Sequence, residues 1–186
     1  MDRETLIRAA LDVGAAKAAV IDQNQIVYSE TFRDMCAQNS CGMYGRCYMC
    51  PPDVGPIDAL MARAQAYPRA LLYQTIGTLE DSFDIEGMQE AKKRHNQLSQ
   101  RLRDALDGVL APGALHLSGG GCGVCGACAK RDGQPCRFPD RAMASLEAYG
   151  MDVYNTTSST ELKYINGQNT VTYFGMVLFH DECCGG

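Results

Sequence analysis

The sequence predicts an α/β fold, a small layered sheet with flanking helices, with α+β as the neighbouring class. Three observations lead there. Two continuous apolar runs of strand length, Ala70 to Ile76 and Val171 to Phe179, read as buried strands. A stripe of Met88, Ala91, His95, Leu98, Leu102, Ala105 and Val109 recurs at helical spacing within Phe83 to Leu110. Strand and helix patterns alternate along 186 residues, a length that fits a single domain spanning 1–186.

The elements follow in order. Leu6, Ala9, Ala10 and Val13 place a first helix over Arg3 to Val13, with Gly14 ending it. Ala18 to Asp22 and Gln25 to Tyr28 read as two short strands joined by an Asp22-Gln23-Asn24 turn. A Cys/Gly-rich loop without apolar period occupies 36–55. Pro56 opens a helix to Tyr67 with Ile57, Leu60, Met61 and Ala64 on one face, and Pro68 stops it. The strand Ala70 to Ile76 comes next, then the long helix, for which Ser82 or Asp84 is the cap. Ala114 to Leu117 is a further strand, followed by a second cysteine loop at 119–139 and a short helix from Asp140 to Tyr149. Thr156 to Thr160 is a loop or a cap, Val171 to Phe179 the last strand, and 181–186 a flexible tail.

Composition narrows the function classes. The chain is 46% apolar, enough for a core, and carries a net charge of −5. An acidic surface argues against nucleic acid, whose phosphates call for clustered Lys and Arg. The one basic run, Lys92-Lys93-Arg94, sits beside Glu90 in the helical pattern and reads as a solvated helix face. No apolar run reaches the ~20 residues of a membrane span. Met1-Asp2-Arg3-Glu4 leads into an amphipathic stretch with no signal-peptide core, so a cytoplasmic location is expected. In reducing cytosol ten cysteines are not a disulfide framework; thiols at this density are metal ligands or redox centres.

The sharpest motif is Cys122-Gly123-Val124-Cys125-Gly126-Ala127-Cys128, with Cys136 after seven residues. Three thiolates with two-residue gaps can curl around one small polynuclear object, each reaching a different iron. Flanking glycines let backbone N–H groups turn toward cluster sulfurs. A structural zinc site is the alternative, although zinc usually takes two C-x2-C knuckles separated by a longer gap. In ferredoxin runs Pro follows the last Cys directly, whereas here Arg137 and Phe138 intervene before Pro139.

The first group is Cys36, Cys41, Cys47 and Cys50, ending in Cys50-Pro51-Pro52. Four thiolates within fifteen residues can enclose a second [4Fe–4S] cluster. Zinc on a Cys47-x2-Cys50 knuckle is one alternative. Ligation by only three of these cysteines, leaving a Lewis-acidic iron open to substrate, is another. Tyr44, Tyr48 and Met49, between ligands, would shield the centre from water. Arg46 and Arg137 offset cluster charge or are ordinary surface arginines.

Some reactive residues fall outside these loops. Cys183-Cys184 is a thiol-exchange pair or part of the tail. His95 on the helix stripe and His116 in a strand read as core or interface histidines first, and as proton donors or ligands second. No Walker loop, GxGxxG, HExxH or GxSxG motif is present.

One combination of motifs has a counterpart. Cys41-Gly42-x-Tyr44-Gly45 runs to Cys50-Pro51-Pro52, and an apolar strand follows Tyr67-Pro68. Cys122-x2-Cys125-x2-Cys128 then runs to Cys136-Arg137-Phe138-Pro139, and Glu147-Ala148-Tyr149-Gly150-Met151-Asp152-Val153 closes the set. Over about residues 3 to 179 this resembles a family of small prokaryotic proteins catalogued as predicted metal-binding proteins, domain of unknown function 2284. The resemblance implies metal binding, with the eight loop cysteines matching the family's presumed ligands, and it implies no reaction. Nothing carries over to Cys183 and Cys184.

Three functions compete. Two clusters on Cys36, Cys41, Cys47, Cys50 and on Cys122, Cys125, Cys128, Cys136 would pass electrons to a redox partner protein. A cluster with an open iron would act on a small-molecule substrate or carry sulfur, helped by His95, Tyr44, Tyr149 or Glu147. Zinc or clusters would otherwise be folding staples of a partner-binding module. Oligomeric state is open, and a homodimer through the long helix is one arrangement.

Overall fold

A computed structural model describes residues 2–181. The tail pair Cys183-Cys184 lies outside the described residues. The first helix, α1 (Arg3–Asp12), ends at Gly14, whose φ of +106° suits a residue without Cβ. β1 (Lys17–Asp22) follows, then α2 (Thr31–Ala37), α3 (Ile57–Gln65), β2 (Arg69–Thr78), α4 (Ile85–Leu106), β3 (Leu115–Ser118), β4 (Ala144–Ser145), α5 (Val153–Thr157) and β5 (Thr170–Phe179). The fold class is α/β, as expected: a five-stranded mixed sheet with helices against it.

The strand order is β1-β2-β5-β3-β4. Only β3 and β4 are parallel; the other neighbours run antiparallel. β2 and β5 pair over their whole length, from Arg69 opposite Phe179 to Thr78 opposite Thr170. Both read as near-continuous apolar runs because both faces of the sheet are covered. Alternate residues serve the two faces. Leu71, Tyr73, Val177 and Phe179 pack with Leu6 and Ala10 of α1 and Leu98, Leu102 and Leu106 of α4. Ala70, Leu72, Met176 and Leu178 pack with Leu60 and Ala64 of α3 and with Leu146, Tyr149 and Met151. Each fully buried leucine contributes roughly 1.5–3 kcal/mol of transfer free energy.

Four local expectations are corrected. Gln25 to Tyr28 is not a strand: Gln23–Gln25 is a 3-10 turn whose Gln25 side chain accepts from the Asp22 N–H, and Tyr28 makes one isolated bridge to Met151. β1 therefore pairs with β2, not with a hairpin partner. Cys36 lies on a helix, α2, where no helix was expected. Asp140 to Tyr149 is not one helix; it holds β4 and the 3-10 turn Glu147–Tyr149, and α5 follows it. On α4 the buried stripe turns to Leu106, leaving Ala105 exposed, because the true helical repeat drifts from the spacing read in the sequence.

α4 starts as anticipated at Asp84, whose carboxylate accepts from Gly87 N–H at 2.8 Å. Among the described residues no helix is long and apolar enough to cross a membrane.

Candidate metal centre

All eight loop cysteines are free thiols. The second loop leaves the end of β3 and lies against α4. A Cβ on Gly123 would stand 2.2 Å from Asn96 Nδ2, so glycine, between Cys122 and Cys125, lets the loop lie this close to α4 with Asn96 in place. Asn96 is itself fixed: Ser118 Oγ donates to its Oδ1 at 3.1 Å. Ser118 Oγ lies 2.9 Å from Ser99 Oγ, which accepts from Tyr73 O–H at 2.9 Å. A buried polar chain thus runs from β2 through α4 to the base of the cysteine loop. At the far end of that loop, Arg137 Nη1 donates to the Ala127 carbonyl at 2.9 Å, which ties Cys128 and Cys136 into one turn.

The first loop is folded by its own backbone and by α2. Asn39 Oδ1 accepts from Tyr44 N–H at 3.0 Å, and Gly45 N–H donates to the Pro51 carbonyl at 2.9 Å. Cys50 N–H returns to the Cys47 carbonyl at 3.0 Å, which puts the two thiols on one tight turn. Arg33 on α2 donates to the carbonyls of Gly55 at 2.8 Å and Ala148 at 3.4 Å. These bonds hold α2, and with it Cys36, against the Glu147–Tyr149 turn.

The two loops, far apart in sequence, dock on each other. Tyr48 O–H donates to the Gln134 carbonyl at 2.9 Å. Lys130 Nζ pairs with Asp53 at 2.5 Å and lies 5.3 Å from the centre of the Tyr48 ring. Arg131 reaches Met43 Sδ at 3.6 Å. A Cβ on Gly121 would stand 3.3 Å from Cys50 Sγ, so the second loop passes directly over a first-loop thiol.

The thiols divide differently from their order in the chain. Cys122, Cys125, Cys128 and Cys136 line one cavity, and Cys47 of the first loop joins them. Tyr48, Met49, Val124 and Phe138 form its apolar wall. Cys36 and Cys41 line a different cavity together with Glu147. Cys50 lines neither cavity; it shares a turn with Cys47 and lies under Gly121 of the second loop. Among the described residues no three His, Cys, Asp or Glu side chains are gathered at one point as a ready single-ion site. Of the three residues expected to shield a centre, Tyr48 and Met49 line this cavity and Tyr44 does not, and Arg46 is exposed.

Electrostatics follow this layout. The neighbouring Cys50 thiol holds the Cys47 thiol down to about 6, against its burial, with help from Met49 N–H, the Cys128 thiol and Cys122 N–H. Cys50 is pushed up by Cys47 first and burial second. Burial raises Cys122, opposed by the N–H groups of Val124 and Met143. Such N–H groups aimed at sulfur stabilise thiolates and tune a metal bound to them. Burial also raises Cys36 and Glu147, and the Glu147 carboxylate raises Cys36 further.

Of the other named residues, His95 is fully buried, its Nδ1 2.9 Å from Thr75 Oγ1. It lies behind Gly119 at the entry to the second loop, and burial holds it down to about 4. It is a core histidine, the first of the two roles read for it. His116 is likewise held to about 4 by burial, then by Arg103. Asn96, Ser118 and Met143 support the second loop and were not singled out in the sequence. Asn and Ser on otherwise periodic elements carry no local signal of what they touch.

The donor set fits a thiolate-bound metal: free thiols, N–H groups facing them and an apolar wall. No curated protein and no solved structure matches this chain. A family model described as predicted metal-binding protein (DUF2284) matches residues 19–179, a span that holds both cysteine loops, and the chain belongs to that family.

Proposed function

We propose that this protein carries two [4Fe–4S] clusters, one on each cysteine group, and transfers electrons through them to a redox partner protein. The observation that carries the reading is the docking of the two loops, with Cys47 and Cys50 of the first against Cys128 and Gly121 of the second. Centres held on these thiols would be immediate neighbours, as electron transfer between them requires. A bound cluster would supply one-electron redox chemistry at a potential set by its surroundings. The chain's residues do the rest. Tyr48, Met49, Val124 and Phe138 exclude water from the thiols. The N–H groups of Met49, Cys122, Val124 and Met143 offset thiolate charge. Sulfurs distributed around a cavity suit a polynuclear cage.

A zinc centre is the second reading. It is favoured by the Cys47 thiol's contacts with both Cys50 and Cys128, which bring a Cys-x2-Cys knuckle from each loop together. Redox titration separates the two. Under argon, dithionite should bleach the visible absorption and produce an EPR signal integrating to about two spins per chain, the shape of which reflects two interacting centres. Re-oxidation should restore the starting spectrum. A protein that stays colourless and EPR-silent is a zinc protein, and one with clusters that do not reoxidise reversibly is not an electron carrier. A cytoplasmic location goes with this reading.

A further inference from the structure

The second loop meets α4 at a row of glycines, each of which makes room for one α4 side chain. A Cβ on Gly119 would stand 3.3 Å from the His95 ring, one on Gly120 2.7 Å from Lys92 Cε and 2.9 Å from its Nζ, and one on Gly123 2.2 Å from Asn96 Nδ2. Asn96 is held through its Oδ1, which accepts from Ser118, and it lines a small cavity together with Cys122. Lys92 lies half-buried across the Gly120 backbone and, among the described residues, pairs with no carboxylate. The Glu147 carboxylate feels its charge from beyond ion-pair distance. The adjacent Lys93 is exposed and reaches Glu90 at 3.9 Å. The basic run that reads as one solvated face therefore splits, with Lys92 turned to the loops and Lys93 to water. After Gly120 the chain passes over Cys50 Sγ at Gly121 and then reaches Cys122. The Lys92 ammonium thus lies where thiols of the two loops come together.

We propose that Lys92 sets the reduction potential of the neighbouring centre, by holding a positive charge at the junction of the two cysteine loops. The proposal rests on the two-cluster reading. A centre bound by thiolates gains one more negative charge when it takes up an electron, so a nearby cation stabilises its reduced form more than its oxidised form. The chain as a whole works against reduction, because its net charge is −5. A half-buried ammonium is screened less than an exposed one, so Lys92 outweighs its neighbour Lys93. The glycine at position 120 is what lets the stem of Lys92 cross the loop: any side chain there would occupy the place of Cε. Its φ of +70° favours glycine as well.

Redox titration of the full chain, purified without oxygen, with dithionite as the electron donor and EPR as the readout, tests this. Lys92→Met removes the charge and keeps the stem. At the potential where the wild-type centre is half reduced, the variant's ratio of reduced to oxidised centre should be about tenfold lower, equivalent to about 59 mV for one electron. Lys92→Arg keeps the charge and should stay within about twofold of the wild type. Lys93→Met takes the same net charge from the solvated side and should also stay within about twofold. Iron and sulfide per chain should be alike in all of these proteins. Two intact clusters with midpoints that do not move in Lys92→Met, or that move equally in Lys93→Met, overturn the proposal and leave the two-cluster reading standing. Zinc without sulfide overturns both. If Lys92→Met does not fold or load, Lys92→Gln is titrated in its place and judged by the same outcomes.

Discussion

Replacing Gly123 by alanine probes the support of the second loop. The added Cβ would lie 2.2 Å from Asn96 Nδ2 and 2.9 Å from Asn96 Cγ, closer than real atoms approach. Either the loop moves off α4 or Asn96 swings away and releases Ser118 Oγ, now donating to it at 3.1 Å. Overpacking of this kind costs about 1–3 kcal/mol. Where Asn96 swings instead, the cost is the lost hydrogen bond, about 1 kcal/mol. Gly123→Ala should therefore lose about 1–3 kcal/mol in urea unfolding of the reduced, metal-free chain, at unchanged m-value. Asn96→Ala alone should lose about 1 kcal/mol. The double variant keeps only a 3.2 Å approach to the Cβ of residue 96 and should lose little beyond the roughly 1 kcal/mol of Asn96→Ala, a non-additive cycle. A Gly123→Ala protein within about 0.5 kcal/mol of wild type, or a double variant as unstable as the sum of the singles, would refute the close approach of loop and helix.

Three further outcomes test other parts of the structure. His95 is held near 4, so the unfolded chain takes up its proton from pH 6.5 downward while the fold does not until about 4. Stability is thus full above pH 6.5 and falls toward 4, by about 2 kcal/mol at pH 5 from His95, with His116 acting in the same direction; urea midpoints at pH 7 and 5 should differ less in His95→Leu. Leu102 is fully buried between α4 and the sheet, and Leu102→Ala should cost about 2–5 kcal/mol in the same assay. Lys130→Met and Asp53→Asn each remove one half of the inter-loop ion pair, so both should speed metal release to a chelator, and the double variant should be no faster than either single; additive rates would mean that the pair does not join the loops.

What the sequence made legible was governed by local pattern. β2 and β5 showed as apolar runs because both their faces are covered, and α4 showed because its stripe and its Asp84 cap are local features. The eight loop cysteines were legible from spacing alone. What stayed hidden was set by distant contacts. α2 is short, with no residue fully buried, so it carries no stripe, and it is held by Arg33 reaching Gly55 and Ala148. β4 is two residues long and exists because β3 lies beside it. The same reason hid the placement of Cys47: spacing groups it with Cys36 and Cys41, and only the docking of two loops puts it among Cys122, Cys125, Cys128 and Cys136.

Iron, zinc and acid-labile sulfide, quantified per chain after purification without oxygen, bear most directly on the central claim. The account predicts a brown protein with about eight irons, about eight sulfides and no stoichiometric zinc. One or two zinc ions per chain with no sulfide would contradict it.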